Sequence, residues 1–276
     1  MLIVDYSPCC KTVKVMKNSN FHPLPLDHPF VIDEFSFKTD LDFKGKEIDI
    51  PIAQFDKRHF NDKLFGVTNV HCPIAITHSV SKRKAEYFAG RYLVARQLQQ
   101  LGFAHQMLEP NIDRSPRLPS GVMGSISHSQ DLACIAVLPS PNSNRESIGV
   151  DIQHLITNDV CRDIKDMVAN VNEIELVEMF GMTRSEAVTL LFSAKEAIYK
   201  ALARFVINGL DFGSATLNAI DKDTVKFEIS QQVILQTRDT IRDSVTKSNL
   251  RTVTCQYKYL EQKQSYLTVC YYQLDN

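Results

Sequence analysis

Along the chain, apolar residues fall into two long helical stripes separated by short strand-like runs. Ala85, Phe88, Ala89, Tyr92 and Leu93 recur at intervals of three and four, Ser81 is placed to cap, and Gly102 follows Leu101 as a stop. This predicts a helix over about 82–101. A loop punctuated by Pro110, Pro116 and Pro119 follows, and then the unbroken apolar run Leu132 to Leu138, short enough for a buried strand. A turn-rich linker, Pro139 to Glu146, precedes Ser147 to Gln153, which alternates: Ile148, Val150 and Ile152 fall on one face, Gly149, Asp151 and Gln153 on the other. That pattern predicts a half-buried strand. Thr183-Arg184-Ser185-Glu186 reads as a capping box opening a second helix, with Ala187, Leu190, Leu191, Ala194, Ile198, Ala201 and Leu202 as its core stripe. Val225-Phe227-Ile229 and two runs rich in Val, Thr and Tyr, near 250–260 and 265–273, complete a β-rich end. Residues 1 to about 70 hold the breakers Pro23, Pro25 and Pro29, short alternations such as Phe35-Ser36-Phe37, and no legible chemistry.

Each half, 1–145 and 146–276, thus offers a long helix with several strands, an α+β arrangement that hints at structural duplication without a sequence repeat. A chain of 276 residues fits one large domain or two small ones. The net charge of -1 gives no general field for drawing in nucleic acid or an anionic membrane, so any anion site is local. Only 10 glycines occur and none forms a Walker or dinucleotide loop, which argues against those folds. The 7 cysteines, Cys9, Cys10, Cys72, Cys134, Cys161, Cys255 and Cys270, lack any zinc or Cys-x-x-Cys spacing and read as reduced cytosolic thiols. Met1-Leu2-Ile3-Val4-Asp5 does not open a signal peptide and no later run is long enough to span a bilayer, so the expected location is the cytoplasm.

On the second helix, at 100° per residue from Ala187, Glu196 falls near 180° and Lys200 near 220°, both away from the core. Alone they read as a solvated i,i+4 pair, worth about 0.3–0.5 kcal/mol. Phe192, at about 140°, puts a large aromatic on that side and turns the reading towards a cleft. Asp151 and Gln153, about 7 Å apart on one strand face, can present two oxygens to one hard cation, with Gly149 leaving room for a ligand and Glu196 as a second carboxylate. The first helix carries Lys82, Arg83, Lys84, Arg91 and Arg96 against one acid, Glu86, a cationic strip. Arg83 and Arg91 stand about 80° and 12 Å apart, a spacing for two phosphates of one extended nucleotide. His128 lies in Gly124-Ser125-Ile126-Ser127-His128-Ser129, small hydroxyl residues able to surround a phosphate.

Four segments in this order carry a resemblance: Lys82-Arg83-Lys84-Ala85-Glu86-Tyr87-Phe88-Ala89-Gly90-Arg91, then Gly124 to Ser129, then Ile148-Gly149-Val150-Asp151-Ile152, then Phe192-Ser193-Ala194-Lys195-Glu196-Ala197-Ile198-Tyr199-Lys200. Over about 78–215 the chain resembles the 4'-phosphopantetheinyl transferase superfamily, within it the larger pseudo-dimeric type and the enterobactin synthase component D group. The resemblance implies two similar α+β halves with the active site between them. It implies Mg²⁺-dependent transfer of phosphopantetheine from coenzyme A to a serine of an apo acyl, aryl or peptidyl carrier protein, releasing adenosine 3',5'-bisphosphate. By matching position, Arg83 and Arg91 hold coenzyme A phosphates, and Ser125, Ile126, Ser127 and His128 contact the nucleotide and its 3'-phosphate. Asp151 and Glu196 bind Mg²⁺, joined by the carbonyl of Ile152 and by Gln153. Lys200 holds the pyrophosphate, Glu196 acts as base, and Lys195 is the motif lysine beside it. The chain departs from the pattern at Gln153, where a second acid is usual, and at Leu118 (in Arg114-Ser115-Pro116-Arg117-Leu118-Pro119) and Phe192, both in place of Trp.

The expected partners are carrier domains of a siderophore synthetase, served by a monomer that joins the synthetase assembly, peripheral to a membrane. Fatty-acid or polyketide carriers are the alternative. A nucleic-acid module using the basic helix and a non-catalytic carrier-docking protein, prompted by Gln153, are the readings from other classes.

Overall fold

The computed structural model describes residues 21–43, 46–104, 107–111, 115–140, 145–206, 209–235 and 251–273. Cys9, Cys10, Met1 to Asp5 and Arg114 lie outside these residues. Strands β1 (Val31–Phe43) and β2 (Lys46–Phe55) come first, then helices α1 (Lys63–Thr68), α2 (Ile74–Thr77) and α3 (Ser81–Gln100), then strands β3 (Val122–Ser129) and β4 (Leu132–Pro139). These strands form one antiparallel sheet in the order β1-β2-β4-β3. Strand β5 (Glu146–His154) opens the second set, followed by α4 (Asn158–Val168), α5 (Val171–Met179), α6 (Arg184–Leu202), β6 (Ala215–Ile220), β7 (Thr224–Ile229), α7 (Gln231–Leu235), β8 (Thr252–Leu260) and β9 (Ser265–Gln273). Their strands form a second antiparallel sheet in the order β5-β9-β8-β7-β6.

Three apolar layers hold the molecule together. Helix α3 buries Ala85, Phe88, Tyr92 and Leu93 against Ile135 and Val137 of β4 and Phe55 of β2. Helix α6 buries its whole predicted stripe against Phe227, Cys255 and Cys270 of the second sheet. On their other faces the sheets pack on each other, Ile48, Ile50, Ile52, Leu132 and Cys134 meeting Ile148, Val150, Ile152, Leu267 and Val269. The period-two pattern of β2 and β5 is therefore split between a helix and the opposite sheet.

Several expectations are corrected. The stretch before residue 70 holds the β1-β2 hairpin, whose outer strand is largely exposed and charged, so its alternation is weak. Helix α3 starts one residue early: Ser81 is already helical and Val80 occupies the capping position without a side-chain bond. Its end follows the reading, with Gly102 at φ +79 and the amide of Phe103 closing back on the carbonyl of Leu98. The α6 capping box forms between Thr183 and Glu186 as read. Only part of the expected linker is described, 139–140 and 145–146, and Glu146 already belongs to β5.

Strand β5 is buried on both faces over most of its length, not half-buried. The reason is Gly149. A Cβ there would lie 1.9 Å from the carbonyl oxygen of Ala197 and 2.7 Å from the amide nitrogen of Ala201, so the space left by the missing side chain is filled by the backbone of α6, not by a ligand. Gly149→Ala should force helix and strand apart and lower stability by about 3 kcal/mol; a chemical melt within 1 kcal/mol (~) of wild type would place α6 elsewhere.

Candidate functional site

A cleft of about 890 Å³ is lined from both halves: by Arg83, Glu86, Gly90 and Arg91 of α3, residues 124–128 of β3, Asp151 and Gln153 of β5, and Phe192, Glu196, Tyr199 and Lys200 of α6. The Glu196 and Lys200 face is thus a cleft wall, as Phe192 suggested. Phe192 packs on Phe212 in a tilted pair with ring centroids 5.3 Å apart, an anchor the sequence did not reveal.

Asp151 stands at the centre, 5% exposed. Its Oδ1 accepts from Lys200 Nζ at 2.7 Å and from Ser127 Oγ at 2.7 Å. Its Oδ2 is buried and has no hydrogen-bond partner among the described residues. Lys200 also donates to the carbonyl of Val150, so its ion pair goes across to β5 and not to Glu196 one turn away. Glu196 sits partly buried on the cleft wall, and desolvation pushes its carboxyl above the usual range, with Asp151 adding to the rise and Lys200 opposing it. Gln153 lines the cleft while its amide nitrogen donates to the carbonyl of His154.

Strand β5 is the edge of its sheet and β3 the edge of the other, and hydroxyls of β3 join them. The amide of Val150 donates to Ser125 Oγ and that of His154 to Ser129 Oγ. Alternate residues of an antiparallel strand turn both backbone groups to the same side. The carbonyl of Ile152, between these two, therefore faces the same seam, while its side chain lies in the inter-sheet core. Ser125 and Ser127 line the cleft, yet their hydroxyls are directed at β5.

The cations of α3 do not form a strip. Lys84 pairs with Asp62, Arg96 with Glu34, and Lys82 is exposed, which leaves Arg83 and Arg91 at the cleft. Arg91 is 4% exposed and lies over the Tyr87 ring at 5.1 Å, its pKa lowered by desolvation. Arg83 Nη1 meets His128 Nε2 at 2.9 Å. A guanidinium has no acceptor, so Nε2 accepts and the imidazole proton sits on Nδ1, towards Glu86 Oε2 at 3.8 Å. Desolvation lowers the His128 pKa, Glu86 opposing this and Arg83 and Lys200 adding to it. Glu86 was missed as a site residue, although its i+3 position from Arg83 puts both on one helix face.

Lys195, expected among the catalytic residues, is not brought to the cleft. It is 5% exposed, and its Nζ donates to the carbonyls of Val168 and Phe212 and pairs with Glu173 at 2.9 Å. Glu173 in turn caps α5 and accepts from the amide of Leu217. The pair is a fully bonded buried tie between α4, α5, α6 and β6.

Among the described residues no three His, Cys, Asp or Glu side chains cluster as a metal site. No helix among them is long and apolar enough to cross a membrane, and Cys72, Cys134, Cys161, Cys255 and Cys270 are free.

This two-sheet fold with a cleft between its halves has a match in known sequences. Residues 73–138 match the family model of the 4'-phosphopantetheinyl transferase N-terminal domain and residues 147–256 that of the 4'-phosphopantetheinyl transferase superfamily. Together these cover well over half of the chain, which belongs to the 4'-phosphopantetheinyl transferase superfamily. Among particular relatives, enterobactin synthase component D of Salmonella typhi is 34% identical over 50% of this chain and 57% of its own length. The Escherichia coli K12 protein of the same name is 34% identical over 46% of this chain and 58% of its own length. The 4'-phosphopantetheinyl transferase Svp of Streptomyces mobaraensis is 31% identical over 55% of this chain and 61% of its own length. The matches thus span less than two thirds of these relatives.

Proposed function

We propose that the chain transfers 4'-phosphopantetheine from coenzyme A to a serine of an apo carrier protein. The observation that carries this reading is the meeting of Asp151, Glu196 and Lys200 in one cleft flanked by Arg83 and His128. In the reaction the serine oxygen bonds to the pantetheine-side phosphorus, the bond from that phosphorus to the bridging oxygen breaks, and adenosine 3',5'-bisphosphate leaves.

Magnesium fits the residues present: Asp151 Oδ2 is buried without a partner, Glu196 is a desolvated carboxylate on the facing wall, and Gln153 lines the same cleft. These three side chains, with the carbonyl of Ile152, would hold it. When bound it neutralises the pyrophosphate and polarises the phosphoryl oxygens. Glu196, on the cleft wall beside Asp151 and Lys200, takes the serine proton. Lys200 swings from Asp151 to the departing phosphate and stabilises its charge. Arg83, Arg91 and His128 hold the phosphates of coenzyme A, and Ile126 supports the nucleotide beside them.

We infer that the substrates are aryl and peptidyl carrier domains of a siderophore synthetase; the relatives named enterobactin synthase component D support a synthetase of that kind. We assign the phosphate-holding residues to a half spanning 1–145 and the metal-holding residues to 146–276, acting as a cytoplasmic monomer that visits the synthetase. Incubation with coenzyme A, Mg²⁺ and apo carrier domains tests this by mass: aryl and peptidyl carriers gain one phosphopantetheine, and fatty-acid carriers gain it more slowly. No mass gain on any carrier would overturn the activity, and a preference for fatty-acid carriers would overturn the substrate.

His128→Ala removes one donor from the 3'-phosphate. The KM for coenzyme A should rise about tenfold, the worth of one hydrogen bond to a charged group, with kcat little changed. Because 3'-dephospho-coenzyme A lacks that phosphate, its KM should not move. Equal effects on both would place His128 away from the 3'-phosphate.

A further inference from the structure

We propose that Ser127 is a positioning residue for the metal, fixing Asp151 so that Oδ2 stays open to the cation, and not a ligand of the nucleotide. The proposal rests on the function above, since it gives the proposed metal carboxylate its orientation.

Three β3 hydroxyls alternate along the seam, and they do different work. Ser125 and Ser129 accept from amides of β5, a use of the open edge of that strand. Ser129 Oγ also meets His154 Nδ1 at 3.1 Å, whereas Ser127 turns to a carboxylate, donating to Asp151 Oδ1 at 2.7 Å. Both residues are buried, 5% exposed each, so neither wobbles into water. With Lys200 also on Oδ1, two donors fall on one carboxylate oxygen and none on the other. That asymmetry is what a monodentate cation ligand needs, because a donor on Oδ2 would compete for its lone pairs.

The two donors are not equivalent during the reaction. Lys200 is called to the phosphates, and when it leaves, Ser127 is the bond that still holds the carboxylate. A hydroxyl with its proton committed to Asp151 has only acceptor capacity left, which a phosphate repels.

The test separates metal from nucleotide without turnover. Mn²⁺ binding is read by electron paramagnetic resonance on the full chain with coenzyme A and no carrier, and coenzyme A binding is read by calorimetry in EDTA. Ser127→Ala should weaken Mn²⁺ about tenfold, the low end of losses on removing such a supporting bond, and leave metal-free coenzyme A binding unchanged. Ser127→Thr should retain Mn²⁺ affinity and Ser127→Val, which has the shape of that threonine without its hydroxyl, should lose it, a comparison that stands even if the alanine variant folds poorly. Wild-type Mn²⁺ affinity in the Val and Ala variants, or weaker coenzyme A binding in EDTA, overturns the role of Ser127 alone. Absence of Mn²⁺ binding by the wild-type chain overturns the proposed metal site as well.

Discussion

Asp151→Asn should cut kcat for phosphopantetheine transfer by roughly 10³-fold, a loss of about 4 kcal/mol of transition-state stabilisation, while the protein melts within a few degrees (~) of wild type. Asn is the informative substitution because Asp151 is buried and bonded, so truncation to Ala would also leave Lys200 and Ser127 without their acceptor. The amide keeps an oxygen for those donors, but it removes the charge and puts an NH2, which cannot ligate a cation, in the place of Oδ2. Glu196→Gln should behave alike, for loss of both a cation ligand and the base. Transfer at near-normal kcat by either variant would remove that residue from the metal.

Lys195→Met should have the other large effect, on stability. It leaves the Glu173 carboxylate buried with one donor fewer, a type of change that costs about 3–5 kcal/mol, or on the order of 6–20 °C in melting temperature for a protein of this size. Burial lowers the Lys195 pKa while the bond to Glu173 raises it. Adding Glu173→Gln keeps the acceptor for the amide of Leu217 and removes the orphaned charge, and should recover part of the loss. Below its melting temperature, the Met variant should retain kcat. A variant that melts like wild type but has lost transfer would return Lys195 to the catalytic set.

What could be read from the sequence depended on whether a residue acts on its own element or across two. Helices α3 and α6 declared themselves by apolar spacing, and α6 by its capping box, because both signals are local. Asp151, Glu196 and Lys200 could be placed on the right faces by counting residues. Their pairing could not, since Lys200 reaches β5, 49 positions away in sequence, in preference to its helical neighbour. Lys195 shows the same limit in reverse. It adjoins Glu196 in a motif, yet one residue of helix turns it by about 100° into a different interior. The supposed cationic strip failed because its partners, Asp62 and Glu34, lie in segments where the sequence showed little pattern. Gly149 was read as room for a ligand, and nothing in one sequence could tell that from room for a helix.

The contact at Gly149 has a bearing on how the proposed site is toleranced. Ala197 and Ala201 sit against that glycine, and Glu196 and Lys200 are their immediate predecessors in the chain. The gap across which Asp151 faces Glu196 is therefore gauged by two main chains in contact, with no side chain between them to swell or swing. A single methyl at 149 would act as a shim, altering the bite of the site while every chemical group stayed in place. The chain keeps its working clearance in the one residue that has no side chain to vary.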